Sequence, residues 1–211
     1  RIVSLSIELA RYAEVLKKNL TVGGVINYVV ERGGWSIYQD GVNTCKALQS
    51  MGLTARVCTF DLGLRNSIVH YGSVNVFAKL YNPNRRNSNK YFVNVFHGSS
   101  GMDPKIIPAI DKLIKFQHGI SGIFCTNEKM RAFLIQKGMD ESKLFHLPIG
   151  YSPTNYTYAN RSQRISAKLK LGLPLDVPII ASFQKDGNGW VEGNTPKLVK
   201  GPDLLLDALR K

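Results

Sequence analysis

Acidic residues are scarce in this chain. There are 15, against 28 lysines and arginines, for a formal charge of +13. The excess lies on both sides of Gly150 rather than in one tail. It favours acidic partners: phosphorylated substrates, anionic glycans or an anionic membrane surface. Nucleic acid, the other common acidic partner, is set aside because no basic–aromatic recognition pattern appears. Cysteine is rare too. Cys45, Cys58 and Cys125 are odd in number, widely spaced and set in apolar stretches, which argues against a disulfide framework or a metal ribbon. They read as buried free thiols in a reducing compartment, which points to the cytoplasm. No apolar run approaches the roughly 18 residues that a membrane-spanning helix needs. A nicotinamide-binding glycine fingerprint with its following acid is missing, as are internal repeats and low-complexity tracts. What is present is an apolar fraction of 44%, enough for a real core.

That apolar content is organised as strands alternating with helices. Residues 4–18 carry Leu5, Leu9, Tyr12, Ala13 and Leu16 at helical spacing, with Lys17 and Lys18 at the favourable C-terminal end. A strand is expected over 24–31, closed by Gly33-Gly34. A helix capped by Asp40 should follow and end at Gly52, and then come a strand over 54–60 and a further strand-like stretch over 67–78. Residues 82–90 hold Arg85, Arg86 and Lys90 and no acid, which predicts an exposed, mobile basic loop. Strands over 91–96, 120–125 and 144–147 enclose two helices. Asp103-Pro104 opens one and Thr126 caps the other. This alternation predicts an α/β fold with a doubly wound, Rossmann-like parallel sheet, whose ligands gather outside the carboxyl ends of the strands.

The boundaries expected are a first domain over 1–150, a linker over 151–175 with one basic helix, and a second Rossmann-like domain beginning at 176. That beginning consists of the apolar strand Val177–Phe183, a polar loop, and Lys200-Gly201-Pro202-Asp203-Leu204-Leu205, where proline starts a helix. With residue 211 so close behind, the second domain is expected to be incomplete in this chain.

The ordered set Gly33-Gly34, Asn94-Val-Phe-His97-Gly98, Cys125-Thr-Asn-Glu-Lys-Met130, Leu147-Pro-Ile-Gly150 and Lys200-Gly201-Pro202 resembles the GT-B glycosyltransferases, in particular the retaining family 4. The resemblance covers residues 24–211. It implies an acceptor-side first domain and a donor-binding second domain, with a nucleotide-sugar as substrate and no metal or other cofactor. Lys200 matches the family's lysine–glycine position and would bind the donor phosphates. Lys185 is the counterpart of the second basic residue, with Lys197 as its competitor because the intervening loop is longer here. Fixed cations at that point lower the barrier by stabilising charge on the departing diphosphate. By the same resemblance His97 faces the transferred sugar as a catalytic residue, and Gly33, Gly34 and Gly98 line the sugar-side loops. The plainer readings are a surface role for each lysine, a structural turn for His97 and tight turns for the glycines. His70, His118 and His146 read as structural or surface residues.

The resemblance therefore implies part of a retaining glycosyltransferase, inactive by itself, acting on an anionic or lipid-linked acceptor. The protein would be cytoplasmic or peripheral at a membrane, attracted there by the 82–90 loop. Two other readings stand beside it: a nucleotide-sugar 2-epimerase of the same fold, and a non-catalytic basic module binding glycan or membrane.

Overall fold

The computed structural model describes residues 2–20, 24–33, 36–85, 88–96, 106–150, 158–181 and 202–210. The chain divides into two compact units, Arg1–Tyr156 and Thr157–Lys211.

The first unit is built on six strands: β1 (Ile26–Val29), β2 (Ala55–Cys58), β3 (Ile68–Tyr71), β4 (Lys90–Val95), β5 (Gly122–Cys125) and β6 (Leu144–His146). They form one sheet in the order β2-β1-β3-β4-β5-β6, and every neighbouring pair is parallel. Among the described residues, the α-helices of this unit are α1 (Ile2–Asn19), α2 (Ser36–Ser50), α3 (Val74–Leu80), α4 (Ile107–Lys115) and α5 (Glu128–Gln136). Successive strand residues point to opposite faces, so each strand feeds two cores. Ile26, Tyr28, Ile68, Phe92 and Phe124 pack with Tyr12 and Leu16 of α1 and Cys45 and Leu48 of α2. Val29, Val69, Tyr71, Val93 and Ile123 pack with Phe77 of α3, Ile110 and Leu113 of α4 and Leu134 of α5. The fold is thus an α/β sheet wound on both faces, as the alternation of the sequence predicts.

Three connections differ from the expected pattern. The stretch over 67–78 is a strand only as far as Tyr71. Ser73 then accepts a hydrogen bond from the Val76 amide at 3.2 Å and starts α3. Val74, Val76 and Phe77 are β-formers by composition, but a capped first turn and burial in the core outweigh propensity. Helix α2 begins at Ser36, so Asp40 lies within it rather than at its cap. At α5 the cap is Asn127, whose side chain accepts from the Met130 amide at 2.9 Å, and not Thr126. Gly52 and Gly138 follow α2 and α5 with φ of 78° and 92°, the left-handed exit that glycine permits.

The β2–β3 connection (residues 59–67) crosses the sheet without a helix, although parallel strands usually need one. A polar clasp holds it instead. Asp61 is buried, accepts from Tyr71 Oη at 2.6 Å and pairs with Arg85 at 2.6 Å. The expected mobile loop over 82–90 is therefore tied down where it is described. Arg85 is spent on Asp61, and Asn89 donates to the Leu64 carbonyl and accepts from the Ser67 amide.

In the second unit, α6 (Arg161–Lys170) supplies the basic helix expected after residue 150. Asn160 and Gln163 form a reciprocal cap, each side chain accepting from the other's amide at 2.9 and 2.8 Å. Residues 177–181 are not a strand. No strand pairs with them among the described residues, Val177, Ile179 and Ile180 are exposed, and the Val177 carbonyl accepts from Lys168 Nζ at 2.7 Å. A strand with no neighbour leaves all its backbone N–H and C=O groups without ladder partners. Helix α7 (Pro202–Arg210) begins at its proline, as expected.

Candidate functional site

Strand β1 lies between β2 and β3, and the connections leave it and β3 on opposite faces of the sheet. Between the carboxyl ends of β1 and β3 the chain therefore diverges, opening the crevice where α/β sheets bind ligands. Glu31, Arg32 and Gly33 leave β1 there, and Gly72 and Ser73 leave β3. Gly33 has φ of 114°, a conformation that an L side chain would strain. Gly72 is fixed by packing instead: a Cβ would stand 2.8 Å from Tyr28 Cε1 and 3.2 Å from the Val29 carbonyl oxygen. The strands can approach this closely only without a side chain, and the Gly72 amide donates to Val29 O at 2.8 Å.

Beside this edge an open cleft of about 450 Å³ is lined by Glu31, Asn75, Ala78, Lys79, Pro108, Ala109 and Lys112. Lys79 Nζ stands 4.0 Å from Glu31 Oε1. Lys112 is occupied within the fold, donating to the Ala78 and Tyr81 carbonyls at 2.7 and 2.9 Å, and so satisfies the end of α3. On the other side of Glu31, the Arg32 guanidinium lies 4.5 Å over the Phe60 ring. The cleft thus presents polar and charged groups of both signs.

Behind the edge runs a buried polar chain. Tyr12 Oη lies 2.6 Å from His70 Nδ1, His70 Nε2 lies 2.8 Å from Asn94 Oδ1, and Asn94 Nδ2 donates to Tyr28 Oη at 2.8 Å. One proton arrangement satisfies all three contacts: Tyr12 donates to Nδ1, and Nε2–H donates to Asn94. Burial lowers the His70 pKa to about 4, partly offset by the bond to Asn94, so the imidazole is neutral. Burial likewise raises the Tyr28 and Tyr12 hydroxyls. These groups fix strands and helix α1 rather than meet a ligand. His70 is structural, one of the two readings open to it in the sequence, and the buried Asn94, which the sequence singled out only as the start of the Asn94–Gly98 stretch, is a second polar residue of that core. Its signal was an asparagine inside an otherwise apolar strand.

All three cysteines are unpaired. Burial pushes Cys45 to about 11 and Cys125 to about 12 and raises Cys58, so none is a thiolate nucleophile near neutrality. Among the described residues, no three His, Cys, Asp or Glu side chains group as a metal cage.

Of the sequence-derived site residues, Gly33 stands at the β1 exit with positive φ. Gly34, His97, Gly98, Lys185, Lys197 and Lys200 lie outside the described residues. Leu147 continues β6 by donating its amide to Cys125 O at 2.8 Å, and it leads to exposed Ile149 and Gly150 at the same carboxyl edge. No protein-family model matches the chain, and no curated protein matches it.

Proposed function

We propose that this chain forms part of a retaining glycosyltransferase that moves a sugar from a nucleotide-sugar donor to an acceptor. The observation that carries the reading is the crevice between the carboxyl ends of β1 and β3, which opens directly onto Gly33 in its positive-φ turn. On this reading the first domain is the acceptor side. Gly33, Gly34 and Gly98 allow backbone to approach the sugar, and His97 faces the transferred residue. Lys200 and Lys185 (or Lys197 in its place) hold the donor diphosphate. Helix α7 supports the assignment of Lys200, because it begins two residues later and its amino end adds a favourable partial charge for a phosphate. The chemistry asks little else of the protein at that point: fixed positive charge where the diphosphate leaves, placed before the bond breaks.

The test is nucleoside diphosphate release from a panel of nucleotide-sugars, with and without candidate acceptors, in an intact parent enzyme containing this chain, as wild type and as Lys200→Ala. Acceptor-dependent release is expected. Lys200→Ala should lower kcat/KM by about 30- to 1,000-fold, equivalent to about 2–4 kcal/mol of transition-state stabilisation. Isomerised nucleotide-sugar without acceptor would assign the epimerase instead. If no nucleotide-sugar is bound or consumed, or if Lys200→Ala stays within about twofold of wild type, the reading fails.

A further inference from the structure

We propose that the turn at Phe60–Leu62 is a docking tip for an anionic membrane surface, inserting its apolar side chains while arginines meet the headgroups. Among the described residues of the first unit, the exposed large hydrophobics are Tyr38, Phe60, Leu62 and Ile149. Two of these four lie two positions apart on one short connection, and Leu62, at 80% exposure, is the most exposed of them. An exposed leucine alone needs no explanation. Here it crowns a turn closed by Gly63 at φ 81°, next to a half-exposed phenylalanine. The turn is rigid, because the helix-less β2–β3 crossover is clasped by Asp61 to Tyr71 and Arg85 and by Asn89 to Leu64. A rigid tip loses little conformational freedom when it inserts.

The charge around the tip fits a negative surface. Asp61, the acid between Phe60 and Leu62, is buried and compensated by Arg85, so it presents no carboxylate outward. Arg32 reaches over the Phe60 ring, and Arg65 follows three residues after Leu62; both are exposed. Glu31, the nearby acid on β1's exit, stands opposite Lys79. The cation–π contact also lets Arg32 stay at the headgroup level while the ring beneath it enters the interface. Two arginines are worth about fivefold each near an anionic bilayer, and the apolar pair adds a comparable factor. On this proposal the crossover that Arg85 holds in place joins the 82–90 loop in meeting the membrane; within that loop Arg85 is committed to Asp61, Lys90 is exposed and Arg86 lies outside the described residues.

Co-sedimentation with vesicles of phosphatidylcholine, with and without phosphatidylglycerol, tests this without any nucleotide-sugar, so its outcome is separate from that of the transferase assay. Wild type should bind the anionic vesicles selectively and be released at 1 M salt, where the screening length is about 3 Å. Phe60→Ser/Leu62→Ser and Arg32→Ser/Arg65→Ser should each weaken binding by about tenfold or more. All four positions are exposed, so the variants should keep the wild-type Tm. In Leu62→Trp, quenching by brominated lipid should exceed that of wild type. No binding to anionic vesicles, full binding by the Phe60/Leu62 variant, or no added quenching at position 62 would each overturn the proposal. Retention on a soluble anionic glycan by the arginines alone, with Phe60 and Leu62 dispensable, would do the same.

Discussion

Replacing Arg85 with alanine should destabilise the first unit, although the residue lies in a stretch that reads as solvated loop. Its guanidinium stands 2.6 Å from Asp61, whose side chain is 3% exposed, and the hydrogen bond to that carboxylate raises the arginine's pKa. Removing one partner of a fully buried pair leaves an uncompensated charge and costs about 3–5 kcal/mol. Two features reduce the figure here. Tyr71 Oη continues to donate to Asp61 Oδ2 at 2.6 Å, and the arginine side chain is itself 28% exposed, so water can enter where it stood. A loss of about 2 kcal/mol follows, which for a unit of this size lowers Tm by about 4–8 °C. Lys90→Ala, at the exposed first residue of β4, should change stability by no more than about 0.5 kcal/mol. Thermal melts of the two variants decide the matter. Asp61→Asn, alone and combined with Arg85→Ala, completes the cycle, since the asparagine keeps an acceptor for Tyr71 and no longer needs a cation. An Arg85→Ala melt indistinguishable from that of Lys90→Ala would show that the ion pair contributes nothing, and the clasp account of the crossover would fall with it.

His70 gives a pH signature. Its folded pKa of about 4 is below the ordinary 6.5, so the unfolded chain takes up the proton first. The neutral imidazole's contribution of about 3 kcal/mol is complete above pH 6.5 and lost as pH falls towards 4. Urea denaturation between pH 7.5 and 4.5 should show a steeper loss for wild type than for His70→Gln; parallel curves would refute the assignment. Gly72→Ala should cost about 1–3 kcal/mol by overpacking, because its Cβ would meet the Tyr28 ring at 2.8 Å and Tyr28 is itself held by Asn94. An unchanged urea midpoint would mean that this close approach is not needed.

Much of the architecture was legible because period and punctuation agreed. Glycines stood after α2 and α5, a proline opened α7, and apolar strands were bounded by polar turns. The errors came where those signals conflicted. Val74 to Phe77 look like strand by composition, yet Ser73 caps them into a helix. Val177 to Ala181 look like strand by composition and have no neighbour to pair with among the described residues. Arg85 was misread for a different reason. Its partner Asp61 lies across a parallel crossover, and no local pattern encodes that pairing. Of the candidate site residues only Gly33 falls among the described residues, at the β1 exit with a positive φ, and the rest lie outside them. The buried chain from Tyr12 to Tyr28 joins four elements, so each member looked ordinary in its own segment.

The contact between Tyr12 and His70 has a consequence for synthesis. Helix α1 emerges from the ribosome before the sheet it lies on, and the imidazole that receives its tyrosine lies 58 residues later. The Phe124 ring that meets Tyr12 edge-on, with centroids 4.8 Å apart, comes later still. At about 5–20 residues per second, the apolar stripe of Tyr12, Ala13 and Leu16 waits about 3–12 s for His70 alone. During that interval the helix has no sheet to lie on. Its lasting shape must come from its own hydrogen bonds or from whatever meets the nascent chain, and a helix made before its neighbours finds its place only after them.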